Sequence, residues 1–243
     1  MGTTPEPASS GSALAPADLT GGNLEILGLL PASSNYTFLA RLESNGRTLV
    51  VYKPRRGETP LWDFPSGSLC LREVAAYRVS VAAGWLHVPS TVLRDGPFGI
   101  GMVQQFIEHD PAFHAFNLAP AHEAELKRIA VFDLVANNAD RKAGHVLKGN
   151  DGRLWAVDHG LCFHAEPKLR TVLWDWVGDA IPEDSLAAVE RLRQSVRSEH
   201  QAGLAELLEP EEIELLLHRA EQVLDMQVFP APGPGRPYPW PPI

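Results

Sequence analysis

The sequence predicts an α+β fold with two lobes, a β-rich first half followed by a helical second half. Between about residues 24 and 107, most segments are short apolar runs typical of strands, separated by turns rich in Pro, Gly and Asn. After about residue 108, longer segments with helical periodicity dominate. A strand-rich half followed by a helix-rich half favours two packed lobes, and the cleft between them is the expected ligand site.

Each element is predicted from its local pattern. Strands are expected at residues 24–30, 36–42, 48–53, 90–94, 101–107, 145–148 and 154–158. Hairpin turns are expected at Asn45-Gly46, at Asp95-Gly96 and at residues 150–152. Helices are expected at residues 69–83, where Gly84 ends the helix, and at residues 122–137, 186–201 and 211–226.

The two ends of the chain differ in composition from the body. Residues 1–20 are rich in Pro, Ser, Ala, Thr and Gly and are expected to form a disordered tail. Residues 230–243 carry Pro at most alternate positions and should be extended, either packed on the body or free. Neither tail is expected to form a helix. Between them we expect an N-lobe at residues 21–108, with one helix, and a helical C-lobe at residues 109–229.

Composition excludes several classes of function. The net charge is -9, from 21 basic and 30 acidic residues, and such a surface repels the phosphates of nucleic acid. Cys70 and Cys162 form no zinc-ligand spacing, and a reducing cytoplasmic location fits them best. No secretory signal pattern is present, and no stretch approaches the roughly 18 apolar residues of a membrane helix. We therefore expect no stable membrane insertion, and no pattern indicates an oligomeric state.

The first half contains three features that can serve phosphate chemistry. A turn with Ser33, Ser34 and Asn35 lies between two strands, and its amides and small polar groups can cover phosphates, although most such turns are only turns. Lys53 ends an apolar strand, so its ammonium requires an anion unless it reaches water at an edge. Glu73, among apolar neighbours on the next helix, can pair with Lys53; otherwise it is a solvated acid favoured by the helix dipole.

The second half contains two polar segments between apolar elements. Residues 137–145 place Asp140, two cations and an imidazole in one loop between a helix and a strand. Asp158 follows another strand, where the alternative is a turn aspartate. Phosphoryl transfer needs a lysine on the nucleotide, an acid that positions it, a metal-binding carboxylate and a carboxylate near the acceptor hydroxyl. All of these residue types are present, and the sequence therefore predicts a phosphotransferase.

Four segments resemble a known family: residues 51–54 (Val-Tyr-Lys-Pro), 132–141, 156–163 and 174–182. They resemble the atypical kinases of the phosphatidylinositol 3- and 4-kinase superfamily, especially the type II phosphatidylinositol 4-kinases. The chain is also similar to a group of small actinobacterial kinase-like proteins. The resemblance covers roughly residues 24–182 and implies a protein-kinase-like fold that uses ATP with Mg²⁺ or Mn²⁺.

The resemblance implies a role for each candidate residue. Lys53 would contact the α- and β-phosphates and Glu73 would pair with it. A hinge that binds adenine through its backbone would be formed by Gln104, Gln105, Phe106 and Ile107. Asp140 would lie by the acceptor hydroxyl in a catalytic loop that includes Arg141 and Lys142, the latter reaching the γ-phosphate. Asp158 would bind the metal ion.

Two positions depart from the pattern of the kinases. Five residues after the catalytic aspartate, kinases usually carry a metal-binding asparagine, whereas this chain has His145. Imidazole suits softer metals than Mg²⁺, so we expect either that Mn²⁺ serves at least as well as Mg²⁺ or that His145 contacts phosphate instead. The turn at Ser33-Ser34 lacks the Gly-rich loop of protein kinases, and phosphate binding there would be organised differently.

The expected acceptor is a protein Ser or Thr hydroxyl, including hydroxyls of the chain itself in the N-terminal tail (Thr3, Thr4, Ser9 and Ser10). A phosphoinositide kinase should carry a strongly basic acceptor loop. After Asp158 this chain has His159, His164, Lys168 and Arg170, interrupted by Glu166, and no cysteine-rich insert. The alternatives are a phosphoinositide kinase, a small-molecule kinase acting on an aminoglycoside-like or sugar hydroxyl, and a nucleotide-binding pseudokinase scaffold.

Overall fold

The computed structural model describes residues 14–30, 35–43, 48–118, 120–198 and 200–243. A short helix, α1 (Pro16–Thr20), precedes a five-stranded antiparallel sheet. The sheet consists of β1 (Leu24–Leu29), β2 (Phe38–Leu42), β3 (Leu49–Pro54), β4 (Thr91–Gly96) and β5 (Gly99–Gln105) in the spatial order β1-β2-β3-β5-β4. The predicted hairpin turn Asn45-Gly46 and the turn residues Ser33 and Ser34 lie outside the described residues.

Alternation along β3 decides which way its lysine faces. Val50 and Tyr52 are fully buried in a small apolar cluster with α1 and the neighbouring strands. Because successive side chains of a strand point to opposite faces, Lys53 lies on the other face, half-buried and directed to the cleft.

Helix α2 (Leu69–Ala83) connects the sheet to the helical lobe. It ends at Gly84, whose φ of 76° is the left-handed conformation that glycine adopts without strain. Its buried side chains, including Val74, Val79 and Ala83, share one apolar core with the later helices. The helix that follows β3 in sequence therefore packs largely as part of the helical lobe.

The helical lobe contains α3 (Ala115–Leu118), α4 (Glu123–Ala136), α5 (Glu183–Arg197) and α6 (Pro210–Met226). Two short strands, β6 (Val146–Lys148) and β7 (Leu154–Ala156), form a separate hairpin after α4. Short 3₁₀ turns occur at Arg55–Gly57, Ala143–His145 and Gln201–Glu206. The predicted α+β architecture, with a sheet lobe, a helical lobe and a kinase-like fold, is confirmed.

The expectation that residues 1–20 contain no helix is wrong for residues 16–20. Pro16 begins α1, and at this first position the backbone N–H that proline lacks would have no partner within the helix. The carboxylate of Asp18 accepts the N–H of Ala15 at 3.0 Å. Leu19 is fully buried. Apolar packing of Leu19 and hydrogen bonds to the sheet thus order a segment whose composition is typical of a tail.

Other boundaries also differ from the prediction, most clearly at the β4–β5 turn and at both ends of α5. Gly96 pairs with Gly99 inside the hairpin, which moves the turn from Asp95-Gly96 to residues 97–98. Helix α5 begins at Glu183 rather than residue 186, because Pro182 precedes it and acidic residues occupy its first turn. It ends at Arg197, before the predicted residue 201.

Residues 237–242 of the Pro-rich tail pack on the body. The carbonyl oxygen of Pro237 accepts the N–H of Thr171 at 3.0 Å and the indole N–H of Trp174 at 3.2 Å. The carbonyl oxygen of Pro242 accepts the N–H of Ala143 at 2.8 Å. The tail is therefore fastened beside the loop that carries Asp140. Among the described residues, no helix is long and apolar enough to cross a membrane.

Candidate functional site

Lys53, Glu73 and Asp158 meet in the cleft although they come from distant parts of the chain. The Nζ of Lys53 lies 2.6 Å from Oε1 of Glu73 and 2.9 Å from Oδ1 of Asp158. Burial lowers the pKa of Lys53, but Asp158 and Glu73 outweigh that effect and hold the pKa above its ordinary value. The ammonium is therefore permanently charged and fixed between two carboxylates.

Asp158 lies in a strained turn directly after β7. Its φ is 61°, a left-handed conformation that non-glycine residues rarely adopt. Burial acts to raise its pKa, whereas Lys53 and then His145 lower it, and the net pKa lies well below the usual range. The half-exposed carboxylate thus stays ionised. Strain of this kind persists where the surroundings fix the residue, as at ligand sites.

The next residue, His159, ties the same turn to α2. Its backbone N–H donates to Oε2 of Glu73 at 2.9 Å. Its Nε2 lies 2.8 Å from Nη2 of Arg141, and since the guanidinium only donates, Nε2 accepts. Burial, then Arg141, holds the pKa of His159 well below its ordinary value, so the ring is neutral. His159 thus connects the turn that carries Asp158 both to Glu73 on α2 and to Arg141.

Arg141 is fully buried, which corrects its predicted place among the catalytic residues. Its guanidinium forms an ion pair with Asp133, whose side chain is also fully buried. It also donates to the carbonyl oxygen of Val157 at 2.9 Å and, more weakly, to that of His145 at 3.4 Å. A buried arginine needs such partners, and they leave it no access to a substrate. Arg141 instead fixes the backbone on both sides of the site.

Asp140 and Lys142 lie at the mouth of the cleft. The Nζ of Lys142 is 3.3 Å from Oδ2 of Asp140, and Asn138 accepts the backbone N–H of Asp140 at 3.0 Å. Burial raises the pKa of Asp140, Lys142 opposes the rise, and Asp158 adds to it. The two predicted residues thus form one partly buried pair, and Asp140 lines the same cavity as Asp158.

One cavity of about 130 Å³ contains the predicted carboxylates and lysine together. Its lining includes Asn35, Lys53, Glu73, Asp140 and Asp158. Acidic groups outnumber the single cation among these residues. A cavity with this surplus of negative charge favours a divalent cation or a phosphate-bound cation over a free anion.

His145 approaches Asp158 but is oriented as a donor. Its Nε2 lies 3.4 Å from Oδ2 of Asp158, while its Nδ1 accepts the backbone N–H of Lys142 at 3.4 Å. Burial, partly opposed by Asp158, lowers the pKa of His145 to about 4, so the ring is neutral at pH 7. In the neutral ring with Nδ1 accepting, the proton is on Nε2. That tautomer donates to a carboxylate or phosphate oxygen and has no lone pair for a metal ion at Nε2.

The acidic side chains of this cavity meet the needs of a metal ion only in part. Within the described part of the chain, no group of three or more His, Cys, Asp or Glu residues is arranged to hold one. Mg²⁺ typically binds one or two carboxylates and completes its shell with phosphates and water. The half-exposed Asp158, with Asp140 in the same cavity, fits that mode.

The predicted hinge does not join the cluster. Gln104 to Ile107 are absent from the lining of the cavity that holds Lys53. The N–H of Gln105 donates to Ser90 and the N–H of Phe106 donates to Leu49, so these two amides are not free for adenine. That backbone groups of residues 104–107 bind adenine therefore stays a prediction, and it depends on groups other than these two N–H groups, which bond to neighbouring segments of the sheet lobe.

Several residues of the cavity were missed. The carboxylate of Glu58 accepts the first amides of α2, from Leu69 at 3.1 Å and Cys70 at 2.8 Å. Together with Thr59 and Leu61 it forms one wall of the cavity. These residues lie in a Pro- and Gly-rich stretch without periodicity. No signal in the sequence indicated Glu58, because Ser68 is itself a favoured N-cap residue and only the structure shows that its side chain does not cap α2.

The chain is similar to a bacterial protein along most of its length. Protein Rv2133c of Mycobacterium tuberculosis is 42% identical over 261 residues, which cover 93% of this chain and 94% of that protein. Phosphatidylinositol 4-kinase gamma 4 of Oryza sativa subsp. japonica is 28% identical over 130 residues, 46% of this chain and 23% of that protein. No protein-family model matches the chain.

Comparison with solved structures identifies kinases. The proinflammatory kinase CtkA of Helicobacter pylori has a TM-score of 0.54 at 11% identity, over 86% of this chain and 94% of that chain. The Golgi casein kinase with Mn/ADP bound has a TM-score of 0.53 at 13% identity, over 86% and 73% of the two chains. At such identities the likeness shows the fold alone.

Proposed function

The chain belongs to the family of the Mycobacterium tuberculosis protein Rv2133c, and we propose that it is a kinase that transfers the γ-phosphate of ATP to a hydroxyl group. The observation that carries the proposal is the contact of Lys53 with both Glu73 and Asp158, in one cavity with Asp140. Phosphoryl transfer depends on positioning and charge stabilisation, and this cluster supplies groups for both.

Each residue has a distinct proposed role. Lys53, held by Glu73, binds the nucleotide phosphates, and Asn35 on the cavity wall completes the phosphate side. Asp158 holds Mg²⁺ or Mn²⁺, which would neutralise charge on the phosphates. Asp140 orients the acceptor hydroxyl and accepts its proton, and Lys142 beside it contacts the γ-phosphate. The Mn/ADP bound to the Golgi casein kinase supports testing both metals.

For His145 we propose a hydrogen bond rather than a metal bond. The Nε2–H directed at Asp158 orients that carboxylate, or donates to a phosphate oxygen when nucleotide is present. This choice between the two sequence-based alternatives rests on the tautomer that the Lys142 amide imposes. The metal preference of the protein would then not depend on the imidazole.

We propose that the kinase is of the phosphatidylinositol 3-/4-kinase-like type but acts on protein. The partial match to the Oryza sativa enzyme supports the type. The basic residues after Asp158 argue against a lipid headgroup, because His159 is buried and Lys168 is paired with Asp63 at 3.0 Å. The Nε2 of His164 lies 2.7 Å from the backbone oxygen of Asp63.

Autophosphorylation in the N-terminal tail remains part of the proposal, although Thr3, Thr4, Ser9 and Ser10 lie outside the described residues. We also propose a cytoplasmic location. It is supported by Cys70 and Cys162, which are both buried and free, as thiols are in a reducing compartment.

The direct test is a thermal-shift titration with ATP and either Mg²⁺ or Mn²⁺. A ligand that binds only the native state increases the free energy of unfolding, by about 2.7 kcal/mol at a hundredfold excess over Kd, and so raises the melting temperature. We expect a metal-dependent shift in the wild type, its loss in Asp158→Ala, and its retention in Asp225→Ala, an exposed aspartate on α6. A wild type without any shift would refute the proposal.

Transfer is then measured with labelled ATP, by intact-mass analysis of the chain and with protein, phosphoinositide and aminoglycoside acceptors. Incorporation into protein supports the lead acceptor, and incorporation into lipid or aminoglycoside alone refutes it. A metal-dependent thermal shift without transfer to any acceptor and without ATP hydrolysis would favour a pseudokinase scaffold.

A further inference from the structure

Helix α2 carries two adjacent charged residues, Arg72 and Glu73, that are almost completely buried, at 2% and 1% exposure. Glu73 points to the cleft, where it contacts Lys53 and the backbone of His159. Arg72 points the other way, into the helical lobe. Ionised side chains at this depth require partners, so charge interactions hold α2 on two sides, towards the cleft and towards the helical lobe.

The partners of Arg72 come from two parts of the helical lobe. Its Nη2 pairs with Oε1 of Glu212 on α6, a residue that is 8% exposed. Its Nη1 donates to the carbonyl oxygen of Cys162 at 2.7 Å, four residues after Asp158. The ring of Phe64 lies 5.0 Å from the guanidinium carbon. One side chain thus joins α2 to the last helix and to the segment that follows the candidate metal-binding residue.

The remainder of α2 is attached to the same lobe. The carbonyl oxygen of Ala83, at its C-terminal end, accepts from Nη2 of Arg191 on α5 at 2.9 Å. Arg78, in its middle, donates to the carbonyl oxygen of Gly203. Since its apolar side lies in the core shared with α5 and α6, the helix is bound to the helical lobe along its length.

We propose that Arg72 and Glu212 are positioning residues, which fasten α2 so that Glu73 meets Lys53 without any modification, partner or ligand. The inference rests on the proposed kinase function. Rotation of α2 away from the cleft would leave both charges buried and unpaired, which is strongly unfavourable. Displacement of this helix is therefore excluded as a means of switching the protein, and the catalytic arrangement is permanently assembled.

The test compares variants that remove the clamp with a matched control. Arg72→Met leaves Glu212 unpaired and can unfold the chain, so the decisive variant is Arg72→Met/Glu212→Leu, which removes both charges. Arg219→Met is the control. Arg219 lies on α6, as Glu212 does, and is partly buried, but it bonds to the carbonyl oxygen of Val135 rather than to α2. Arg72→Lys, which retains a charge for Glu212, serves as the conservative variant.

We expect the double variant to fold, with kcat at least about tenfold lower and KM for the acceptor unchanged. The reason is that Lys53 would be misplaced, whereas the acceptor would still bind. Arg72→Lys should recover part of the loss, and Arg219→Met should lower the melting temperature but not kcat. Wild-type chain treated with phosphatase, and shown by mass to be unmodified, should keep its full rate. A folded double variant with wild-type kcat, or a wild type that is inactive until phosphorylated, would overturn the inference.

Hydrogen exchange separates this inference from the proposed function. The amides of α2 should exchange faster in the double variant than in the wild type and in Arg219→Met, whether or not the protein is a kinase. If the wild type shows no metal-dependent nucleotide binding, the kinase proposal fails on its own. Unchanged exchange in α2 contradicts the clamp in either case.

Discussion

Asp133 and Arg141 form an ion pair with both side chains at 0% exposure, Oδ1 lying 2.9 Å from Nη2. The pair lies beneath the site rather than in it. Asp133 belongs to α4, and Arg141 bonds to the carbonyl oxygen immediately before Asp158. The two candidate aspartates are therefore held in register by charges that never meet the substrate.

Removal of Arg141 should destabilise the protein far more than removal of an exposed arginine. Arg141→Met leaves Asp133 buried without its partner, and we expect a loss of about 3–5 kcal/mol in the free energy of unfolding. Arg128→Met breaks the exposed pair with Asp184, at 43% and 56% side-chain exposure, and should cost less than about 1 kcal/mol. Urea unfolding of both variants checks the difference; equal losses would contradict a structural role for the buried pair.

Substitution of Asp158 and of Asp140 should affect different steps, nucleotide binding and phosphoryl transfer respectively. Asp158→Asn should abolish the metal-dependent thermal shift with ATP, because it removes the ionised group beside Lys53. Asp140→Asn should keep that shift and lose transfer by about 10²–10⁴-fold, the usual range for a missing general base. Thermal shift and labelled-phosphate transfer on the same preparations separate the roles. If Asp140→Asn also loses the shift, Asp140 is a metal ligand rather than an acceptor-side base.

His145→Asn should leave the ratio of Mg²⁺- to Mn²⁺-supported turnover unchanged. The imidazole proton on Nε2 faces Asp158, and an asparagine amide can donate the same hydrogen bond. His145→Leu, which removes the donor, should lower turnover with both metals alike. A shift of preference from Mn²⁺ towards Mg²⁺ in His145→Asn would instead identify the imidazole as a metal ligand.

Acid should destabilise the folded chain through a histidine away from the cleft. His87 is buried with neither ring nitrogen bonded within the described residues, and burial, then Arg141, lowers its pKa to about 3. The unfolded chain binds this proton near pH 6.5, so stability is full above that pH and falls as the pH drops towards 3, by about 2 kcal/mol at pH 5.

His87→Leu should remove this part of the loss, measured as the change in unfolding free energy between pH 7.5 and pH 5. His218→Leu, an exposed position on α6, is the matched control and should keep the wild-type change. If His87→Leu retains the full acid loss, the proton is taken up elsewhere.

The sequence predicted the fold well because its main signals are local. Gly84 after an apolar segment marked the end of α2 correctly, and Asn137 ends α4 in the left-handed conformation. The pairing of Lys53 with Glu73 was predicted because both are charges among apolar neighbours, whereas Asp158 was added because phosphoryl transfer needs a metal-binding carboxylate. A charge in such surroundings implies a partner, even when the sequence does not say where the partner lies.

The remaining features depend on contacts that local patterns do not encode. Arg141 was grouped with the catalytic loop because its neighbours are polar, yet its partner Asp133 is hidden within an apolar helix. Arg72 gave no signal at all, because Glu212 lies in a helix near the other end of the chain. The backbone of residues 104–107 was expected to bind adenine, and the sequence did not indicate that the N–H groups of Gln105 and Phe106 bond to Ser90 and Leu49.

The attachment of Pro242 to Ala143 has a practical consequence for work with this protein. Any residues fused after Ile243 begin beside the turn Ala143–His145, close to the candidate site. A carboxy-terminal affinity tag can therefore displace this loop and lower activity as a mutation in the loop would. Enzyme assays should use an amino-terminal tag, and a fluorescent label at the carboxyl end would instead be a sensor of that loop.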